Sequence, residues 1–156
     1  MIVRAVLSDA DILTEIAMAS KAHWGYTNEQ VESWREDLTV TSQMFEEYTI
    51  YKYLENDQIA GFYILERANI RTSFLNFLFI SPDYIKQGIG DQLLLHAIEY
   101  CKGGSSAILN VLSDPNAASF YAKYGFEVIA ERESSIPGRF LPEMELLFPE
   151  NQCHCA

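Results

Sequence analysis

The sequence predicts an α/β fold of the α+β type, a mixed sheet flanked by helices. Three observations predict it. Runs rich in aromatic and β-branched residues follow one another at Tyr48 to Leu54, Ile59 to Leu65 and Ser73 to Ile80, as adjacent strands do. The apolar period then changes at Gly88, after which Leu93, Leu94, Ala97, Ile98 and Cys101 mark one helical face. Beyond that helix, strand and helix signals alternate to the C-terminal region.

The elements read in order as follows. Ile2 to Val6 is a strand. Ser8 with Asp11 resembles a capping box, and Leu13, Ile16 and Ala17 carry a helix to about Ala22. A break follows at Trp24-Gly25-Tyr26. Thr27 with Gln30 is a second box, opening a short helix through Val31, Trp34 and Leu38, and Thr41 to Glu47 is a third helical piece. Glu55-Asn56-Asp57-Gln58 joins the next two strands as a hairpin. The strand ending at Ile80 meets Ser81-Pro82-Asp83, and the helix from Gly88 closes at Gly103-Gly104. Ser106 to Leu112 is a strand. Asp114-Pro115 starts a helix, with proline at its first position, that runs to Tyr124 and stops at Gly125. Phe126 to Glu131 and Met144 to Phe148 are the last strands, separated by a loop at Ser134 to Pro142. The predicted order is β-α-α-β-β-β-α-β-α-β-β, a single domain over residues 1–148 with a frayed tail at 149–156.

Composition narrows the function. At 156 residues, 49% hydrophobic and 21% charged, the chain suits one soluble domain. No apolar run approaches the ~18–20 residues of a membrane span. The start Met1-Ile2-Val3-Arg4 lacks a signal-peptide layout, and three cysteines without framework spacing argue against a secreted scaffold. The reading is a cytoplasmic protein that does not engage membranes. A net charge of −11 without a basic patch argues against nucleic acid as a partner. The charge is uneven. Residues 8–57 hold eleven acidic and three basic residues, net −8, whereas residues 58–130 hold six and five, net −1. The middle of the chain is therefore the part best able to approach a polyanion.

The segment from Ile80 to Leu94 joins a strand to a helix through Gln87-Gly88-Ile89-Gly90. The first N–H groups of a helix have no internal partner, and the macrodipole adds about half a positive charge there. Glycines let backbone approach a phosphate closely. The segment is not a P-loop, since no Gly-Lys-Ser/Thr follows, and the third glycine of a dinucleotide fingerprint is absent. In isolation, the two glycines read equally as relief for a tight turn.

Taken whole, the pattern resembles the GNAT superfamily of N-acetyltransferases over about residues 1–148. Leu75 to Ile80 followed by Ser-Pro-Asp-Tyr and Gln-Gly-Ile-Gly looks like that family's cofactor motif. Asp114-Pro115-Asn116-Ala117-Ala118-Ser119-Phe120-Tyr121 with Tyr124-Gly125-Phe126 is similar to its second motif. The element order also matches. One position departs: Ile85 stands where the family usually has Gln or Arg, followed by Lys86 and Gln87.

The resemblance implies acetyl-CoA as cosubstrate; no metal is expected, since Cys153-His154-Cys155 has no second ligand cluster. Leu78 and Ile80 would offer backbone groups to the pantetheine arm. Lys86, Gln87, Gly88, Ile89, Gly90, Asp91 and Gln92 would cradle the pyrophosphate. Asn116 would hydrogen-bond the pantetheine, and Tyr121 would lie at the sulfur as the general acid. The chemistry suits these groups: a fixed N–H stabilises a developing oxyanion, and a tyrosine, with an ordinary pKa of about 10, stays protonated at neutral pH until the sulfur gains charge.

For the acceptor side the candidates are His23 as a base, Trp24 and Tyr26 as an aromatic wall, Asn76 as a residue ordering a water, and Arg139 as a clamp on an acceptor carboxylate. Each has a plainer reading. His23, Trp24 and Tyr26 would form a packed aromatic corner, Asn76 a solvated strand position and Arg139 a surface arginine. Cys153-His154-Cys155 reads as part of the frayed tail, not as half a metal site. The predicted activity is acetyl transfer to a primary amine, on a small molecule or a peptide, by direct attack in a ternary complex, with a homodimer as an open partner. The alternative is an acyl-CoA-binding sensor with little transfer activity, which the Ile85 departure favours.

Overall fold

In the computed structural model, which describes residues 1–149, β1 (Ile2–Arg4) leads to α1 (Ala10–His23) and three short helices. These are α2 (Asn28–Ser33), α3 (Arg35–Leu38) and α4 (Ser42–Glu47). Then follow β2 (Thr49–Glu55), β3 (Gln58–Arg67), β4 (Thr72–Ile80), α5 (Ile89–Gly103), β5 (Ile108–Leu112), α6 (Ala118–Lys123), β6 (Glu127–Glu133) and β7 (Phe140–Leu147). The seven strands form one mixed sheet. The chain divides into two compact units: Met1–Glu66 with Phe77–Ala97, and Arg67–Asn76 with the residues from Ile98 onward.

In the first unit the strand order is β1-β2-β3-β4. Asn56 and Asp57 take φ of 52° and 65°, giving the two-residue turn whose twist matches a β2–β3 hairpin. β3 is buried on both faces from Ala60 to Leu65, as a strand covered on two sides must be. One face, with Phe62, Ile64, Ile50 and Phe77, packs on Leu13, Ile16 and Ala17 of α1. The other faces α5. There Gly61 lets β4 and α5 approach closely, because a Cβ would lie 2.8 Å from Ile80 Cδ1 and 2.9 Å from the Phe79 carbonyl of β4, and 3.1 Å from Leu93 Cδ1 of α5. On the same face the Tyr63 hydroxyl meets His96 Nδ1 at 2.7 Å, and Tyr51 packs against both rings.

In the second unit the order is β4-β5-β7-β6. β4 and β5 run parallel, with Thr72 opposite Ile108; β5–β7 and β7–β6 are antiparallel. Leu109, Val111 and Met144 are buried, and the buried Ser73 and Ser106 hydroxyls pair at 2.7 Å.

Several boundaries correct the sequence reading. The Ser8 box is absent: Leu7–Asp9 is a 3₁₀ turn, and Asp9 instead accepts from the Val6 N–H at 2.9 Å and pairs with Lys52 at 2.7 Å. The Thr27 box forms, with Thr27 and Gln30 exchanging bonds of 2.9 and 3.1 Å, but its helix breaks at Trp34. β7 starts at Phe140, inside the expected loop. Pro142 is tolerated there because β5 ends at Leu112, opposite Glu143. The Pro142 carbonyl accepts from the Ser113 N–H at 2.8 Å. The missing Pro142 N–H points to that same side, past the end of the β5 ladder. No helix among the described residues is long and apolar enough to cross a membrane.

Candidate active site

The first half of the predicted site belongs to the first unit. β4, carrying Leu78, ends at Ile80, and the next amide, Ser81 N–H, donates to the Ala60 carbonyl at 2.8 Å. A 3₁₀ turn at Pro82–Tyr84 follows, and the Tyr84 hydroxyl donates to Gln58 at 3.2 Å. Ile85 is extended, Lys86 has φ 66° and Gly88 has φ 77°. These two left-handed residues reverse the chain into α5. Gly88 is required by its backbone angle, not by crowding, since a Cβ there would meet nothing within 4 Å. The open side of that turn is what an anion needs. Gln87 and Gly88 are exposed, while Ile89 is buried and anchors the first helical turn. The Gln92 N–H closes the first turn on the Gly88 carbonyl at 3.1 Å. The Ile89 and Gly90 amides thus precede the helical ladder, where a helix presents its donors outward. For Asp91 the backbone amide, not the carboxylate, is the group suited to an anion, whereas the Gln92 N–H is taken by the Gly88 carbonyl and only its side-chain NH₂ could donate to one.

The second half belongs to the second unit. Asp114 caps a 3₁₀ turn at Pro115–Ala117 by accepting from the Asn116 N–H at 2.9 Å, and α6 continues from it. The expected single helix is therefore split, because the first turn closes on an aspartate cap. The Asn116 side-chain amide also donates to Asp114, at 2.9 Å. Tyr121 is buried among Phe120 and Phe126, and Gly125 with φ 95° ends α6. Burial pushes the Tyr121 phenol well above its ordinary pKa, and the negative charge of Asp114 adds to the shift. The side chain is thus neutral and protonated throughout the physiological range.

Arg139 does not lie open as a clamp. Its guanidinium donates to Asp114 Oδ2 at 2.9 Å, and the two side chains are only 15% and 9% exposed. Asp114 is the residue that sequence reasoning undervalued. It was legible as a cap, but its ion pair spans 25 positions and no local pattern signals that.

On the acceptor side, Trp24 and His23 are exposed at the end of α1, their rings 6.4 Å apart edge to face. Tyr26 packs edge-on against Trp34 at 4.9 Å, with the Lys21 ammonium near both rings. The packed aromatic corner thus describes Tyr26, and Trp24 remains presented to solvent. Asn76 is exposed on β4. Cys101 is buried, and burial pushes its thiol up to about 11, so it is not a nucleophile at neutral pH. Among the described residues no cluster of three or more His, Cys, Asp or Glu is placed to hold a metal. Cys153, His154 and Cys155 lie outside the described residues.

With this geometry in hand, comparison with known proteins is decisive. The acetyltransferase (GNAT) domain family matches residues 23–148. The chain belongs to the GNAT acetyltransferase family. A curated relative, peptidyl-lysine N-acetyltransferase YjaB of Salmonella typhimurium, is 30% identical over 95 residues. That match covers 61% of this chain and 61% of the relative's length. Among solved structures, PaiA N-acetyltransferase from Thermoplasma acidophilum in complex with coenzyme A is 25% identical with a TM-score of 0.76. It is matched over 95% of this chain and 98% of its own. A GCN5-related N-acetyltransferase from Rhodopseudomonas palustris, 22% identical with a TM-score of 0.81 and 95% of each chain covered, shares the fold. The GNAT architecture expected from the sequence is therefore the one the chain adopts.

Proposed function

We propose that this chain is an acetyl-CoA-dependent N-acetyltransferase that acetylates a primary amine by direct attack in a ternary complex. The observation that carries the reading is the start of α5, where two left-handed residues open the backbone of Gln87 to Gly90 outward at a helix N-terminus. That arrangement fits a pyrophosphate by backbone approach and needs no basic field. Acetyl-CoA supplies an activated acyl thioester. Gln87 to Asp91 hold its pyrophosphate through backbone amides, with Lys86 and the Gln92 side-chain NH₂ beside them. Leu78 and Ile80 offer main-chain groups to its pantetheine arm, and Asn116 hydrogen-bonds that arm.

Tyr121 acts at the sulfur. A thiol has an ordinary pKa of about 8.5, and the Tyr121 phenol is raised above its own ordinary value of about 10 by burial. Full proton transfer from the phenol to a thiolate is therefore uphill. Tyr121 keeps its proton and stabilises the developing charge by a hydrogen bond that strengthens as the sulfur gains charge. The buried, protonated thiol of Cys101 supports direct transfer over an acyl-enzyme route through that residue.

For the acceptor, the net charge of −8 over residues 8–57 favours a cationic amine, and the name of the YjaB relative points to peptidyl lysine. The engagement of Arg139 by Asp114 weakens the case for an acceptor carboxylate. The test is release of CoA thiol from acetyl-CoA with a panel of polyamines, amino acids and lysine-containing peptides. Release that depends on an amine supports the reading. Binding of acetyl-CoA without release by any amine replaces it with the sensor reading, and absence of binding removes both.

A further inference from the structure

We infer that Arg139 is a positioning residue that acts through Asp114 to fix Asn116 for the pantetheine arm. The inference rests on the proposed acetyl-CoA reading. Asp114 accepts from the Asn116 N–H, the Asn116 side-chain amide and the Arg139 guanidinium, each at 2.9 Å. A carboxylate only accepts hydrogen bonds. The NH₂ end of the Asn116 amide must therefore face Asp114. Its carbonyl end is then the one turned towards an N–H donor, such as a pantetheine amide.

Arg139 holds the carboxylate in the position that makes this possible. It stands on a closed turn, with the Ser134 N–H on the Arg139 carbonyl at 2.9 Å and the Arg139 N–H on the Ile136 carbonyl at 3.1 Å. Gly138, with φ 81°, lets that turn close. Three residues on, the Pro142 carbonyl takes the Ser113 N–H at 2.8 Å, so backbone and side chain of one strand start clasp residues 113 and 114. The pair is largely buried. Removing Arg139 would leave the Asp114 charge uncompensated, and a buried lone carboxylate recruits water or rotates. Asn116 would then lose its fixed orientation.

Calorimetric titration of CoA tests this in wild type, Arg139→Met, Arg139→Lys, Asn116→Ala and the Arg139→Met/Asn116→Ala double variant. Arg139→Met should weaken CoA about tenfold and Arg139→Lys only about threefold, while the double variant binds no worse than Asn116→Ala alone, the signature of two residues acting as one. If Arg139→Met does not fold, Arg139→Lys replaces it in the cycle and the same non-additivity is expected. Unchanged CoA affinity in the Arg139 variants, or losses that multiply in the double variant, would overturn the inference while leaving the acetyl-CoA reading intact. Failure of the wild type to bind CoA would instead overturn that reading, and this inference with it.

Discussion

Burial separates the Tyr121 phenol from an ordinary tyrosine. Packed by Phe120 and Phe126 and near the Asp114 charge, it is held in the neutral form. Its value to catalysis is as a fixed donor, and a donor of that kind contributes only when charge appears opposite it. Tyr121→Phe keeps the ring and removes the hydroxyl. Turnover should fall by about 10²-fold, as when one fixed donor to a developing charge is removed, with acetyl-CoA affinity nearly unchanged. Because the phenol titrates far above neutrality, the wild-type rate should show no ionisation from Tyr121 between pH 6 and 9. Single-turnover kinetics of both forms reads the effect. An undiminished chemical step in Tyr121→Phe would remove Tyr121 from the mechanism. The residue scale was also where the sequence was least informative. The sharp turn at Gly88 shows in the string Gln-Gly-Ile-Gly, but the burial of Arg139 against Asp114 depends on a pairing 25 positions apart, which no local pattern encodes.

α5 carries two separable loads, an anion site at its start and a ring stack along its length. At the start, Gly90→Val should leave the helix intact, since a β-branched residue costs little in a first turn. Its side chain would occupy space a pyrophosphate needs. Acetyl-CoA at 100 times its dissociation constant should stabilise the wild type by about 2.7 kcal/mol, and thermal-shift measurements should show that gain lost in the variant. Further along, His96 Nδ1 and the Tyr63 hydroxyl share a hydrogen bond, and burial lowers the imidazole below its ordinary pKa. The sign follows from that direction. Above about pH 6.5, the ordinary histidine value, folded and unfolded chains are both neutral at this site. As pH falls through that value the unfolded chain takes up a proton first, so the contribution to stability is lost towards acid. The thermal midpoint of His96→Gln should therefore fall less than that of wild type between pH 7.5 and 5.5; parallel curves would show that His96 is not linked to folding. Most elements were legible because their signals are local. The Asn56-Asp57 turn, the Thr27 box and the apolar face of α5 are set by neighbours in sequence. The misplaced boundaries have tertiary causes. β7 runs back to Phe140 because β6 and the end of β5 supply its partners, and Pro142 masks that strand to a sequence reading. The Ser8 box fails because Asp9 is drawn to Lys52, 43 positions away.

Over the whole chain, the charge split links sequence to substrate. A surface of one sign concentrates ligands of the other and speeds encounter, most strongly at low ionic strength. If the acidic N-terminal third serves the acceptor, kcat/KM for the best cationic amine should fall as salt rises from about 0.01 M to about 0.15 M, where the screening length drops from about 30 to about 8 Å. Efficiency that rises with salt, or a best acceptor that is an anion, would reduce the acidic excess to solvation of the helices. The central claim, that this GNAT chain transfers acetyl from acetyl-CoA to an amine with the start of α5 holding the pyrophosphate, is tested most directly by the mass of the acceptor. A lysine-containing peptide incubated with acetyl-CoA and the wild-type protein should become one acetyl group heavier at its amine. The same peptide incubated with Gly90→Val at equal, subsaturating acetyl-CoA should stay unmodified. An unmodified peptide and unmodified amines across the whole panel with wild type, or equal acetylation by Gly90→Val, would contradict the account.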